Sequence, residues 1–249
     1  MKLYFCEQIS NSMKRLLVFI LLPMLSFGQS QHETINQLFE AKQYVKAEQV
    51  AEDLVNENPN DLEAVELLGD AYGHLKKWDN AIVQYKKLVN AKPNNANYHY
   101  KYGGVLGMKA LSVSKFKAVG IIGDAKKAFL KAAELDPNHI NTRWALVELY
   151  MQLPGIIGGS KKKALRYSDE LYNLSEVDGY LSKGYIYEYD KEFEKAEYNY
   201  LKAVEVGGSV TCYQNLIDLY NRFDKKDKVK TYLEEATQRH PNSSFKTEL

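Results

Sequence analysis

The chain of 249 residues carries 33 Lys and Arg against 32 Asp and Glu, a net charge of +1, with 45% hydrophobic and 26% charged residues. That balance excludes a disordered chain, and a net charge near zero points to neither nucleic acid nor anionic lipid as a partner. Two cysteines exclude a disulfide scaffold, while few prolines and regular apolar spacing predict long helices.

The first segment reads as an address. Lys14 and Arg15 precede the apolar run 16–25, and Ser26-Phe27-Gly28 follows with small residues at its first and third places. This is the order of a secretory signal, with cleavage expected after Gly28. The run is about half the ~20 residues of a spanning helix and contains Pro23, so no stable membrane span is expected. Met13 is an alternative start. Cys6 would leave with the leader, so a mature chain of 29–249 holds one thiol, Cys212, and a net charge of −1. An exported chain, periplasmic or secreted, follows.

Beyond the leader, a repeat runs through the sequence. Leu68, Gly69 and Tyr72 share one helix face, and Ala81, Tyr85 and Leu88 share a second, before Pro93 stops the unit. The small position of the second helix recurs at Ala47, Ala81, Ala125, Ala164, Ala196 and, more weakly, Val229. First helices carry Leu38, Tyr72, Leu106, Tyr150, Tyr187 and Tyr220 at one equivalent place. The units close at Pro59, Pro93, Pro137, Gly207-Gly208 and Pro241. The pattern resembles the tetratricopeptide repeat (TPR), a helix–turn–helix unit of about 34 residues. The resemblance implies an all-α, right-handed α-solenoid of about six units over 31–241, read as one domain because each repeat needs its neighbours for a core.

Two units are overlong. In the third, the excess lies in 109–122, where Leu111, Val113, Phe116, Val119 and Ile121 predict an extended first helix and a packed turn. The second helix is then expected to start at Gly123-Asp124, with Asp124 near its N-cap. In the fourth, the loop 154–160 reads Pro-Gly-Ile-Ile-Gly-Gly-Ser, with Ser160 as N-cap of the following Lys161-Lys162-Lys163 helix. The segment from Arg143 through this loop resembles a group of exported bacterial TPR proteins, which implies a lineage and a compartment but no chemistry. Gly155, Gly158, Gly159, Ser160 and Lys161 form a candidate anion-binding loop, since glycine turns that open helices can offer N–H groups. It lacks the Gly-Lys-Ser/Thr of a phosphate-binding P-loop, and the preceding element reads as a helix. A rigid turn is the competing reading.

No catalytic set emerges. His32, His74, His99, His139 and His240 lack metal-ligand spacing, Cys212 has no His partner, and no nucleophile motif occurs. No enzyme, cofactor or metal is therefore expected.

In TPR arrays the first helices line an inner groove. Those positions here are Glu63, Glu66, Asp70 and His74, then Asn97 and Tyr100, then Asn141, Trp144 and Glu148, then Tyr185, Glu188 and Tyr189, then Gln214 and Asp218. Some TPR adaptors hold a C-terminal carboxylate with Lys and Asn at such positions. Here those places carry Glu66, Asp70, Tyr100 and Gly104, which do not suit an anion. The expectation is a non-catalytic scaffold that grips a protein or peptide with basic or aromatic side chains, and not nucleic acid. A small-ligand protein using loop 154–160 and a self-assembling structural subunit stand as alternatives.

Overall fold

The computed structural model describes residues 31–246. The leader, its cleavage after Gly28 and the alternative start at Met13 lie outside the described residues. Within them the ordered elements are helical. They are α1 (residues 31–40), α2 (Tyr44–Glu57), α3 (Leu62–His74), α4 (Trp78–Ala91), α5 (Ala96–Leu111), α6 (Lys115–Leu135), α7 (Ile140–Gln152), α8 (Lys161–Leu174), α9 (Glu176–Tyr189), α10 (Phe193–Gly207), α11 (Val210–Arg222) and α12 (Lys226–Arg239). A single 3-10 turn, Gly155–Ile157, interrupts the α7–α8 connection. Among the described residues the helices follow one another in the order of six helix–turn–helix repeats.

Punctuation in the sequence sets the helix ends. First helices start at side-chain caps. Asp61 accepts the N–H groups of Glu63 and Ala64 at 3.1 Å, Asn95 accepts that of Tyr98, and Ser175 and Ser209 do the same in later units. Helices α2, α4, α6 and α12 each stop two residues before Pro59, Pro93, Pro137 and Pro241. Gly208, at φ +56°, closes α10.

Within four units the first helix turns into the second through a left-handed residue: Lys42, Lys76, Lys191 and Asp224, with φ of 51–61°. At each turn an N–H reaches back to the core position of the first helix, Gln43 to Leu38, Lys77 to Tyr72, Glu192 to Tyr187 and Lys225 to Tyr220, at 2.8–2.9 Å. These bonds satisfy helix-end carbonyls at the turn. The two overlong units place their extra residues where this turn would stand.

The chain forms two compact units, with their boundary at Ile121. In the first, α2 packs on α3, α3 on α4 and α4 on α5; in the second, α7 through α12 pack in the same consecutive way. Ala47, Ala81, Ala125, Ala164 and Ala196 are fully buried, whereas Val229 stays half-buried. The small residues matter because tyrosines fill the space opposite them. A Cβ on Gly69 would stand 3.1 Å from the Tyr85 ring, and one on Gly184 only 2.4 Å from the Tyr200 ring. Of the tyrosines at the repeat positions, Tyr72, Tyr85, Tyr150 and Tyr220 are buried and Tyr187 is half-buried; Tyr98, Tyr167, Tyr200 and Tyr213 join them. Cys212 is a buried thiol in the core of the second unit.

The third unit departs from its reading. Helix α5 does extend to Leu111, but α6 already begins at Lys115, so Asp124 lies in its middle and caps nothing. Nothing between Lys115 and Ile122 breaks a helix except Gly120, whose propensity cost of about 1 kcal/mol is too small to end a 21-residue element. Nor is the connection packed. Leu111, Phe116 and Val119 are exposed, Phe116 by 96%.

Candidate functional site

The candidate residues fall on the first helices of the units, and each compact unit holds its own set. In the first unit, Glu63, Glu66 and Asp70 lie on one face of α3, with Asn97 and Lys101 on α5. Lys101 sits between the two acids, its Nζ 2.6 Å from Glu66 and 2.7 Å from Asp70. Asn97 donates a further hydrogen bond to Glu66 at 3.3 Å. The Tyr85 hydroxyl donates to Asp70 at 2.5 Å, and burial with that carboxylate raises the phenol well above its ordinary value. Burial alone would lower the Lys101 pKa, but Asp70 and Glu66 outweigh it and raise it. Glu66 and Asp70 are thus held together by one lysine of the protein itself. His74 is exposed and stacks on Tyr44 at 4.2 Å, with Phe39 at 5.6 Å, which ties the end of α3 to α1 and α2. Glu63 stands near His32, 3.5 Å away. Tyr100 is half-buried on α5.

In the second unit, α9 touches both α7 and α11. Trp144 is half-buried there, and its indole N–H donates to Asp178 at 2.7 Å across α7 and α9. Glu148 lies one helical turn further along α7. Its side chain reaches solvent, but its surroundings displace enough water to raise its carboxyl from the ordinary value. Among the described residues no cation pairs with it. Tyr185 on α9 is near enough to feel that charge; its hydroxyl accepts a hydrogen bond from Gln152 at 3.3 Å. Tyr189, half exposed, packs 6.2 Å from Tyr185. Asn141 is exposed at the start of α7. Glu188 is neutralised: it pairs with Arg222 and accepts from Tyr200. Gln214 donates to Asp218 at 2.7 Å, and exchanges two hydrogen bonds of 2.9 Å with the backbone of Lys246.

The structure therefore brings Trp144, Glu148, Tyr185 and Tyr189 onto neighbouring helices, and gathers Glu63, Glu66, Asp70 and Asn97 separately on α3 and α5. Two participants were missed in the sequence. Asp178 occupies the repeat position of Asn97 and Asn141, so the spacing could have found it. Lys101 has no cationic counterpart in other units; only the packing of α5 on α3 reveals it.

The glycine loop is committed internally. Its N–H groups at Ile157, Gly158, Gly159 and Ser160 donate to Pro154, Gly155, Pro154 and Tyr150 carbonyls at 2.8–3.1 Å. Gly158 takes φ +99°, and a Cβ on Gly159 would fall 1.8 Å from the Leu153 carbonyl oxygen. Ser160 caps α8 as expected, at 3.3 Å from the Lys163 N–H. Lys161 reaches Asp190 at 2.6 Å and also pairs with Glu192.

Helix pairs of this length, joined by a recurring left-handed turn and interlocked by tyrosine against glycine or alanine, place the chain among known folds. Residues 38–102 match the tetratricopeptide repeat family. The fold is that of a TPR protein. A thermophilic TPR protein of Thermus thermophilus superposes with a TM-score of 0.63 at 18% identity, covering 83% of this chain and 99% of its own. PilF of Pseudomonas aeruginosa gives 0.59 at 16%, covering 87% and 93%. PilW, a widely conserved type IV pilus biogenesis factor, gives 0.63 at 14%, covering 87% and 95%. No curated protein matches the chain at the level of sequence.

Proposed function

We propose that the chain is an exported, non-catalytic TPR scaffold that holds a protein segment against the inner faces of α7 and α9. The observation that carries this reading is the state of Glu148. It is an accessible carboxylate with a raised pKa and no cation beside it among the described residues, bordered by Tyr185 and near Trp144 and Tyr189 on the same face. A Lys or Arg arriving there would relieve a desolvated charge, while the aromatic rings supply contact area at low entropy cost. The contrast with Glu66 and Asp70, already held by Lys101, supports recognition in the second unit and a structural role for the first set.

The alternative ligand loop loses its main support, because its amides and Lys161 already have partners inside the protein. That loop is better read as a rigid turn. Export rests on the composition of residues 1–28 and on the resemblance of loop 154–160 to exported TPR proteins.

A peptide array tests the reading. The full chain is expected to select peptides that combine Lys or Arg with aromatic residues, and Glu148→Gln is expected to weaken them about tenfold, in keeping with a charge-assisted contact. Preference for acidic peptides, or affinity unchanged in Glu148→Gln and Tyr185→Ala, would overturn it. A chain that elutes as an oligomer and binds no peptide would favour self-assembly.

A further inference from the structure

The small net charge of the whole chain conceals a strong local asymmetry. Between Asp79 and Asp124 there is no acidic residue, while lysines stand at 86, 87, 92, 101, 109, 115 and 117. The remainder of the chain is correspondingly acidic. Two of the seven are used internally: Lys101 by Glu66 and Asp70, and Lys109 by Asp79 at 2.7 Å. Lys115 and Lys117 are exposed and have no carboxylate partner among the described residues.

The same stretch displays apolar side chains to water. Met108 and Leu111 end α5 with exposures of 45% and 74%, the turn 112–114 follows, and Phe116 and Val119 open α6 at 96% and 50%. Met108 with Leu111, and Phe116 with Val119, are spaced three apart, so each pair shares a helix face. In the first five residues of α6 only Ala118 is buried. An isolated exposed Leu needs no explanation, but four such residues around one turn, with a phenylalanine between two free lysines, do.

We infer that the α5–α6 corner, Met108 to Val119, is a docking surface for an anionic lipid bilayer. Phe116 and Leu111 enter the interface, and Lys115 and Lys117 meet the phosphate headgroups. Basic residues flanking Phe and Leu on a short helical segment are what an interfacial anchor requires. The aliphatic Met108, Leu111 and Val119 have no role against nucleic acid, where stacking needs a flat ring or guanidinium. Association would be peripheral, since no helix among the described residues is long and apolar enough to cross a membrane. The corner lies on a different element from Glu148 and does not depend on the peptide-binding proposal.

The test places a reporter at the corner, because an uncleaved leader could itself bind vesicles. Full-length Phe116→Trp is mixed with vesicles of phosphatidylglycerol and phosphatidylcholine, or of phosphatidylcholine alone, and wild-type emission from Trp78 and Trp144 is subtracted. On the anionic vesicles the added emission is expected to shift to the blue and to be quenched by brominated lipid. Adding Lys115→Glu and Lys117→Glu is expected to weaken partition at least about tenfold, with helicity unchanged because all three sites are exposed. An absent shift on anionic vesicles would overturn the inference. So would an equal shift on neutral vesicles, or a shift without vesicles that grows with protein concentration and shows a second copy covering the corner.

Discussion

Single side chains decide which parts of the inner faces are free to act. Glu63, Glu66, Asp70 and Glu148 read alike in the sequence, as carboxylates on first helices. Three-dimensional neighbours separate them, because Lys101 reaches back from α5 to pair with Glu66 and Asp70 while Glu148 has no such partner among the described residues. Removing Lys101 leaves two close carboxylates facing each other. Lys101→Met is expected to cost about 2 kcal/mol, less than the 3–5 of a fully buried broken pair because the site is partly wet. Urea unfolding midpoints at unchanged slope check this. Glu148 behaves oppositely. Its folded pKa is raised, so at low pH both states are protonated and it contributes nothing. As pH rises, the unfolded state ionises first and the folded state loses relative stability, the full cost being present above the folded pKa. Glu148→Gln is therefore expected to stabilise the protein at pH 7 and to lose that advantage near pH 3.5, as read from thermal melts at the two values. The phenols report the same packing: Tyr72, buried beside Glu52, is pushed up to about 12.

Elements were legible wherever local chemistry acts alone. Closing prolines and the tyrosine–alanine spacing gave the number of repeats and where most of them stop, since breakers act within one turn; Ser160 was the one cap read correctly, and the caps at Asp61, Asn95, Ser175 and Ser209 emerged only in the structure. The α5–α6 connection was misread because its apolar content implied burial, yet periodicity says only which residues share a face and not whether anything covers it. Loop 154–160 shows the reverse. Its glycines were compatible with a ligand turn or a rigid one, and the backbone hydrogen bonds indicate the rigid one. Gly159→Ala is expected to destabilise the protein by about 3 kcal/mol, because its Cβ would strike the Leu153 carbonyl and only a backbone shift can relieve it. Ser160→Ala, which removes only a cap, is expected to cost about 1 kcal/mol. Denaturant melts of the two variants should rank in that order.

For the whole molecule, repeat architecture makes stability local. Each helix pair is held by its sequence neighbours, so damage should spread over one or two units before it fades. Leu88→Ala, at a fully buried site in the first unit, is expected to raise amide exchange in α3 to α5 well beyond any change in α9 to α11. The proposed export adds a chemical prediction: the N-terminus of the processed protein should be Gln29, as read by mass spectrometry of envelope fractions. What the sequence determined by itself were the periodic quantities, namely six helix pairs, their small and tyrosine core positions and their stop signals. These depend on contacts within one turn or one repeat, and each recurs along the chain. Only tertiary structure decided which carboxylates are spent, where α6 begins and which apolar residues remain in water. Those outcomes depend on neighbours about 30 residues away, as with Lys101 and Asp70, or on whether any neighbour is present at all, as with Phe116.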